Sequence, residues 1–303
     1  MTVSLGADKT NKGKSYPEYD RLFAGGVQDG KLVIGLVNGF IDHGAHNDYT
    51  DSGYGEWMEE LRESFRSHPN FKVVSIEPEE DLTSFELNGK KVSGVSFNDF
   101  LEWEIDQTGF PSSISSSDHS ALRKAVGDKI IKHWLTFEAN VDVSIGGAAP
   151  KPLAIQILTY FGADSDATPH KQAIKNSDVF LYNGHSYIGY GPLDPSNFSA
   201  SDFPSSYQIL FIDGCVSYNY YEKDYIPLKS GGTKNLDLIT NGIEAPAFKS
   251  GYALGRFVSA LVDGTQPSYL DLLTEAEATD ALRVVDGELD NTYDPAKKPI
   301  TFK

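Results

Sequence analysis

Asp178-Val-Phe-Leu-Tyr-Asn-Gly-His185-Ser186 and, after a loop rich in Gly, Pro, Ser and Asp, Tyr207-Gln-Ile-Leu-Phe-Ile-Asp-Gly-Cys215-Val-Ser217 decide how this chain folds. Each is a short apolar run of β-branched and aromatic residues bounded by turn formers, the pattern of a strand buried on both faces of a parallel sheet. Each ends at a glycine followed by a residue with reactive chemistry, His185 in one and Cys215 in the other, 215 − 185 = 30 positions apart. A thiol needs a base to become thiolate near neutral pH, and imidazole is the side chain suited to that task. Open α/β sheets bind ligands outside the carboxyl ends of their strands, so neighbouring strands with these endings would bring both groups to one crevice. A lone Cys in a strand is more often core than catalyst; the matching positions and the matching glycines argue for a pair.

The pair resembles the caspase, legumain and gingipain superfamily of cysteine peptidases, clan CD, in which one strand ends in His-Gly and the next in a small residue followed by Cys. Gly214-Cys215 after Ile209-Leu-Phe-Ile-Asp213 fits the second motif, and Cys215-Val-Ser-Tyr-Asn219 is most similar to the gingipain branch. His185 departs from the pattern in being followed by Ser186, with Gly184 before it. The resemblance runs from Lys31 to Pro246. It implies an α/β, three-layer caspase-like fold: one domain over 1–303, a mainly parallel sheet with helices on both faces and a β-hairpin insertion.

The same resemblance implies a cysteine-type endopeptidase acting on peptide or protein substrates. Cys215 would attack the scissile carbonyl, His185 would support the thiolate and protonate the leaving amine, and backbone N–H groups of Cys215 and of Gly184 or Ser186 would hold the oxyanion. Val37-Asn38-Gly39-Phe40 is similar to the first strand ending of the legumain branch, which makes Asn38 the expected orienting partner of His185. As a sequence, Asn-Gly reads equally well as a turn. In the family the loop after this strand lines the substrate crevice, giving Asp42 and His43 as substrate-binding candidates. The stretch after Leu236-Asp-Leu-Ile-Thr-Asn241 adds Thr240 and Glu244. The gingipain likeness and the acidity lean towards Lys or Arg before the cut.

Composition sets the bounds. A net charge of −17, from 43 acidic against 26 basic residues, argues against nucleic acid and anionic membranes as partners. It leaves room for a cationic substrate or for calcium, with no cofactor required. Hydrophobic content of 40% with 12% aromatic is that of a globular chain. No apolar run reaches the length of a membrane span, and no basic-then-apolar leader follows Met1. The wealth of Tyr, Asn, Ser and Gly resembles exported bacterial proteins, secreted or periplasmic. A single cysteine excludes an intramolecular disulfide. Two other function classes compete: a metal-dependent hydrolase built on Asp42, His43, His46, Asp48 and Asp51, and a catalytically silent binding or adhesion module.

The rest of the chain fills in around the sheet. Residues 1–14 read as a flexible lead-in. Lys31–Val37 is the first strand, Gly55–Phe65 an amphipathic helix and Phe71–Ile76 a second strand completing a right-handed strand–helix–strand unit. Residues 82–140 form the insertion: a hairpin turning at Asn88-Gly89, a helix over Phe97–Ile105, and a helix from Ser117 or Asp118 with the stripe Leu122, Val126, Ile130, Trp134, Phe137. Leu153–Tyr160 is a strand and Pro169–Asn176 a helix. Lys229–Lys234 reads as a loop that closes over substrate. Helices follow over Ser250–Val262 and Ser268–Ala281. Residues 282–303 read as an acidic tail with Asp286, Glu288, Asp290 and Asp294 as calcium candidates.

Overall fold

The computed structural model describes residues 15–42, 44–106, 114–163, 165–245, 248–276 and 282–302; the expected lead-in and His43 lie outside them. In chain order the elements are α1 (Tyr19–Leu22), β1 (Lys31–Asn38), α2 (Ser52–Ser64), β2 (Lys72–Glu77), β3 (Ser84–Leu87), β4 (Lys90–Ser93), α3 (Phe97–Asp106), α4 (His119–Ile130), β5 (Trp134–Ile145), β6 (Lys151–Phe161), α5 (Thr168–Asn176) and β7 (Val179–Asn183). Then come β8 (Gln208–Asp213), α6 (Tyr218–Leu228), β9 (Leu236–Asn241), α7 (Ser250–Leu261), α8 (Tyr269–Glu275), β10 (Arg283–Asp286) and β11 (Ile300–Phe302).

One mixed sheet runs β10-β9-β8-β7-β1-β6-β5-β11, with β2 also on β5. Its centre is parallel: β9 on β8, β8 on β7, β7 on β1 and β1 on β6. Every residue of β7, β8 and β9 is buried. That is why these strands read as unbroken apolar runs with no alternation. Two cores result. Leu32, Ile34 and Leu36 of β1 face a core shared with Trp57 and Leu61 of α2 and with Leu254, Phe257 and Val258 of α7. Phe180 and Tyr182 of β7 face the other, with Ala173 and Ile174 of α5 and Tyr221 and Tyr225 of α6. Helices therefore cover both faces, the arrangement that a parallel sheet demands.

β2 completes the expected strand–helix–strand unit parallel to β1, with β6 and β5 lying between the two strands and an antiparallel pairing to β5. Other expectations need correction. The long helix stripe ends at Ile130: Ile131 is extended and Lys132 has φ 60°, a left-handed residue that breaks the helix. Trp134 and Phe137 belong to β5, which rejoins the main sheet. The hairpin at Asn88 and Gly89 is present, with φ of 51° and 73° as its primed turn requires.

The C-terminal residues are woven in as well. β10 pairs with β9 and β11 with β5, so the expected loose tail forms both edges of the main path. Asp290 accepts from Thr233 Oγ1 at 2.5 Å and Asp294 pairs with Lys297 at 3.0 Å. The Lys229–Lys234 loop precedes β9 and therefore lies at the edge opposite the strand ends that carry His185 and Cys215. Lys229 is buried there, with its ammonium 3.1 Å from Gln208 Oε1, a structural anchor and no lid.

Candidate active site

Sheet register supplies the geometry. β7 and β8 pair with Asn183 opposite Asp213, and two residues beyond each stand His185 and Cys215. Neighbouring strands lie about 4.8 Å apart, so the two turns leave the sheet side by side. They also touch. A Cβ on Gly214 would meet Ser186 Cβ at 3.2 Å and the Gly184 carbonyl oxygen at 3.4 Å, so this glycine lets the Cys215 turn lie against the His185 turn. Gly184 is required for a similar reason, because a Cβ there would come within 2.5 Å of the Tyr182 hydroxyl. Cys215 and His185 are half-buried.

Each turn is braced from below. Tyr182 Oη donates to the His185 carbonyl at 2.8 Å and Tyr221 Oη to the Ser186 carbonyl at 3.0 Å. Buried Tyr221 of α6 thus props the histidine turn, while Tyr225 Oη donates to the Leu193 carbonyl at 2.6 Å in the loop that follows it. On the cysteine side, Ser217 Oγ donates to the Ile212 carbonyl at 2.8 Å and accepts the Asn241 N–H at 2.8 Å, while Val216 N–H donates to the Ile243 carbonyl at 3.0 Å. Val216, Tyr187 and Ile188 have φ of 53°, 49° and 56°. Left-handed backbone is uncommon outside glycine, costliest at β-branched residues such as Val216 and Ile188, and concentrates at functional sites; here the three residues flank His185 and Cys215.

His185 Nε2 lies 2.8 Å from the carbonyl oxygen of Ile41. A carbonyl only accepts, so Nε2 carries the hydrogen and Nδ1 is the basic nitrogen of the neutral ring. Ile41, three residues beyond Asn38, supplies this contact through its backbone. The Asn38 side chain instead donates from Nδ2 to Glu60 Oε2 at 2.6 Å in a buried pair, which corrects its expected orienting role. Burial pushes the Glu60 carboxyl up to about 8, with Asp213 and Glu56 opposing its ionisation further.

The remaining candidates divide. Thr240 is fully buried within β9 and cannot meet a substrate, which removes it from the substrate-binding set. Glu244 is exposed beside Ile243, close to the Cys215 turn. Asp42 accepts from Ser52 through both oxygens, at 3.0 Å and 2.8 Å, at the start of α2. Asp48 accepts from the Thr50 N–H at 2.8 Å and from its hydroxyl at 2.6 Å. Those carboxylates are spent on their own loop, and among the described residues no three His, Cys, Asp or Glu side chains group as metal ligands.

Sequence reasoning missed a row of polar residues beneath the pair. Asn38, Asn183 and Asp213 are lateral neighbours across β1, β7 and β8. Asp213 accepts from Asn241 Nδ2 at 2.6 Å and forms a buried ion pair with Arg283 of β10. It missed the rim too. Exposed large apolar side chains include Ile188 and Tyr190 after β7, Tyr218 after β8, Ile243 and Phe248 after β9, and Leu282 against Gly242. All stand at the edge where Cys215 and His185 emerge. No protein-family model, curated protein or solved structure matches the chain.

Proposed function

We propose that this chain is a cysteine-type endopeptidase with Cys215 as nucleophile and His185 as its base. The observation that carries the reading is the register: Asn183 stands opposite Asp213, and the imidazole and thiol follow at equal steps from turns in direct contact. Cys215 gives its proton to Nδ1 of His185, the basic nitrogen of a ring whose Nε2 donates to the Ile41 carbonyl. The thiolate attacks the scissile carbonyl carbon, and the electron pair displaced onto oxygen is met by backbone N–H groups of Cys215 and of Gly184 or Ser186. The imidazolium then protonates the leaving amine as the C–N bond breaks, giving a thioester that water hydrolyses with His185 again as base.

The rim supports a polypeptide with large apolar side chains near the cut bond. Six of the nine exposed large apolar residues among those described stand on it, and such clusters mark interaction sites. A Lys or Arg immediately before the cut has weaker support. Asp213 is already neutralised by Arg283, which leaves exposed Glu244 to receive a cation. Turnover of a mixed peptide library by wild type and Cys215→Ala, with and without iodoacetamide, tests the reading. We expect turnover that both the substitution and the alkylation abolish. Cleavage that survives in Cys215→Ala, or that a chelator removes while iodoacetamide does not, would sink it.

A further inference from the structure

We propose that Asp51 is a positioning residue for His185, acting through the peptide group that joins Ile41 to Asp42. Asp51 is 2% exposed and N-caps α2 by accepting the Gly53 N–H at 2.7 Å. The cap is only part of its work. Its Oδ1 also accepts the Ile41 N–H at 3.0 Å and its Oδ2 accepts the Asp42 N–H at 3.1 Å. On the other side of the Ile41–Asp42 peptide, the Ile41 carbonyl oxygen takes the hydrogen bond from His185 Nε2 at 2.8 Å.

The C=O and N–H of one trans peptide point in opposite directions and share its resonance. A carboxylate on the N–H therefore raises electron density on the oxygen, and hydrogen bonds in such a chain strengthen one another. The order carboxylate, peptide, imidazole, thiol is that of a hydrolase triad with one peptide unit inserted between acid and base. Its consequences are three: the neutral ring is fixed with its hydrogen on Nε2, its plane is fixed, and the positive charge that the ring gains from Cys215 is stabilised. The isosteric change Asp51→Asn cannot preserve this. An asparagine amide offers a single acceptor oxygen, and its NH2 would face one of the N–H donors that Asp51 now accepts.

The last of these consequences rests on the peptidase reading; the first two concern the ring alone, so the test separates them. On the intact chain, 15N NMR of the His185 ring is expected to put the hydrogen on Nε2, and the Asp42 amide proton is expected to move when the ring gains its second proton. Asp51→Asn is expected to mix the two ring tautomers and to slow Cys215 alkylation by iodoacetamide at pH 7 about 3- to 10-fold, the scale of one weakened charge-assisted hydrogen bond. Where peptide turnover is measurable, kcat falls with KM unchanged. Asp48→Asn removes the same charge from the same loop and should change alkylation less than about twofold.

An Asp42 amide proton indifferent to the ring, or equal effects of the two substitutions, overturns the proposal. If Asp51→Asn fails to fold, the wild-type spectra alone decide. Intact tautomer and coupling without any peptide turnover would sink the peptidase and leave the relay standing.

Discussion

Glu60→Gln should make this protein markedly less sensitive to alkali. Glu60 is fully buried on α2 and Asn38 donates to its Oε2. Burial is the main force that lifts its carboxyl from the ordinary 4.5 to about 8. The native chain then holds a proton that the unfolded chain has released. Stability from this group is complete below about 4.5 and is lost as pH rises towards 8. Each pH unit in that window is worth about 1.4 kcal/mol, so the whole span comes to about 5 kcal/mol. Glu56, raised to about 7 chiefly by its own burial, titrates beside it and shares the slope. That leaves about 2–5 kcal/mol to Glu60. Glutamine keeps the size and an acceptor oxygen for Asn38 but cannot ionise. Urea unfolding of both proteins at intervals from pH 5 to pH 9 measures the difference, which should widen in favour of the variant by that amount. A constant difference across the range would mean that Glu60 is ionised throughout, and would refute the account of a neutral acid beneath the site.

Gly214→Ala presses a methyl group against Ser186 and the Gly184 carbonyl. It should lower kcat at least about 10-fold by parting the turns, against a stability loss of about 1 kcal/mol in thermal melts; full activity would show that the contact does not set the spacing. Val216→Gly relieves a left-handed β-branched residue. Stability should rise by about 1 kcal/mol while activity falls through a looser nucleophile turn, and a destabilised variant would show that Val216 is not strained. Burial lowers Lys229 to about 7, so below that pH the native chain must carry a buried charge. Lys229→Met should therefore stabilise more at pH 6 than at pH 10, by about 1–4 kcal/mol in chemical unfolding; an equal effect at both would place the ammonium in solvent.

The central strands were legible because burial on both faces writes them as unbroken apolar runs, and their endings gave His185 and Cys215. What escaped the sequence was whatever depended on partners far along the chain. Trp134 and Phe137 continue the three-to-four spacing of Leu122, Val126 and Ile130, so α4 and β5 share one apolar pattern; only the backbone at Ile131 and Lys132 separates them. Asn38 sits at the expected strand end, yet Glu60 claims its amide, and a buried neutral acid cannot be told from a solvated one by spacing. Thr240 follows the same logic, a strand-end residue whose side chain turns inward. Arg283-Val-Val-Asp286 is too short and too flanked by charge to announce a strand, although it completes the sheet and neutralises Asp213.

The two edge strands near the C terminus have a mechanical consequence. β10 and β11 sit at opposite ends of an eight-strand path, and seven interstrand steps of about 4.8 Å make roughly 34 Å to cross. The 14 residue steps from Asp286 to Ile300 reach about 46–50 Å at full stretch. The crossing segment thus behaves as a drawn cord with about four residues of slack, running along the rim opposite the thiol and tied midway by the Thr292 N–H to Glu18 at 2.7 Å. Shorten it beyond that slack and one border of the sheet must let go, baring either β9 or β5 to pairing with another chain.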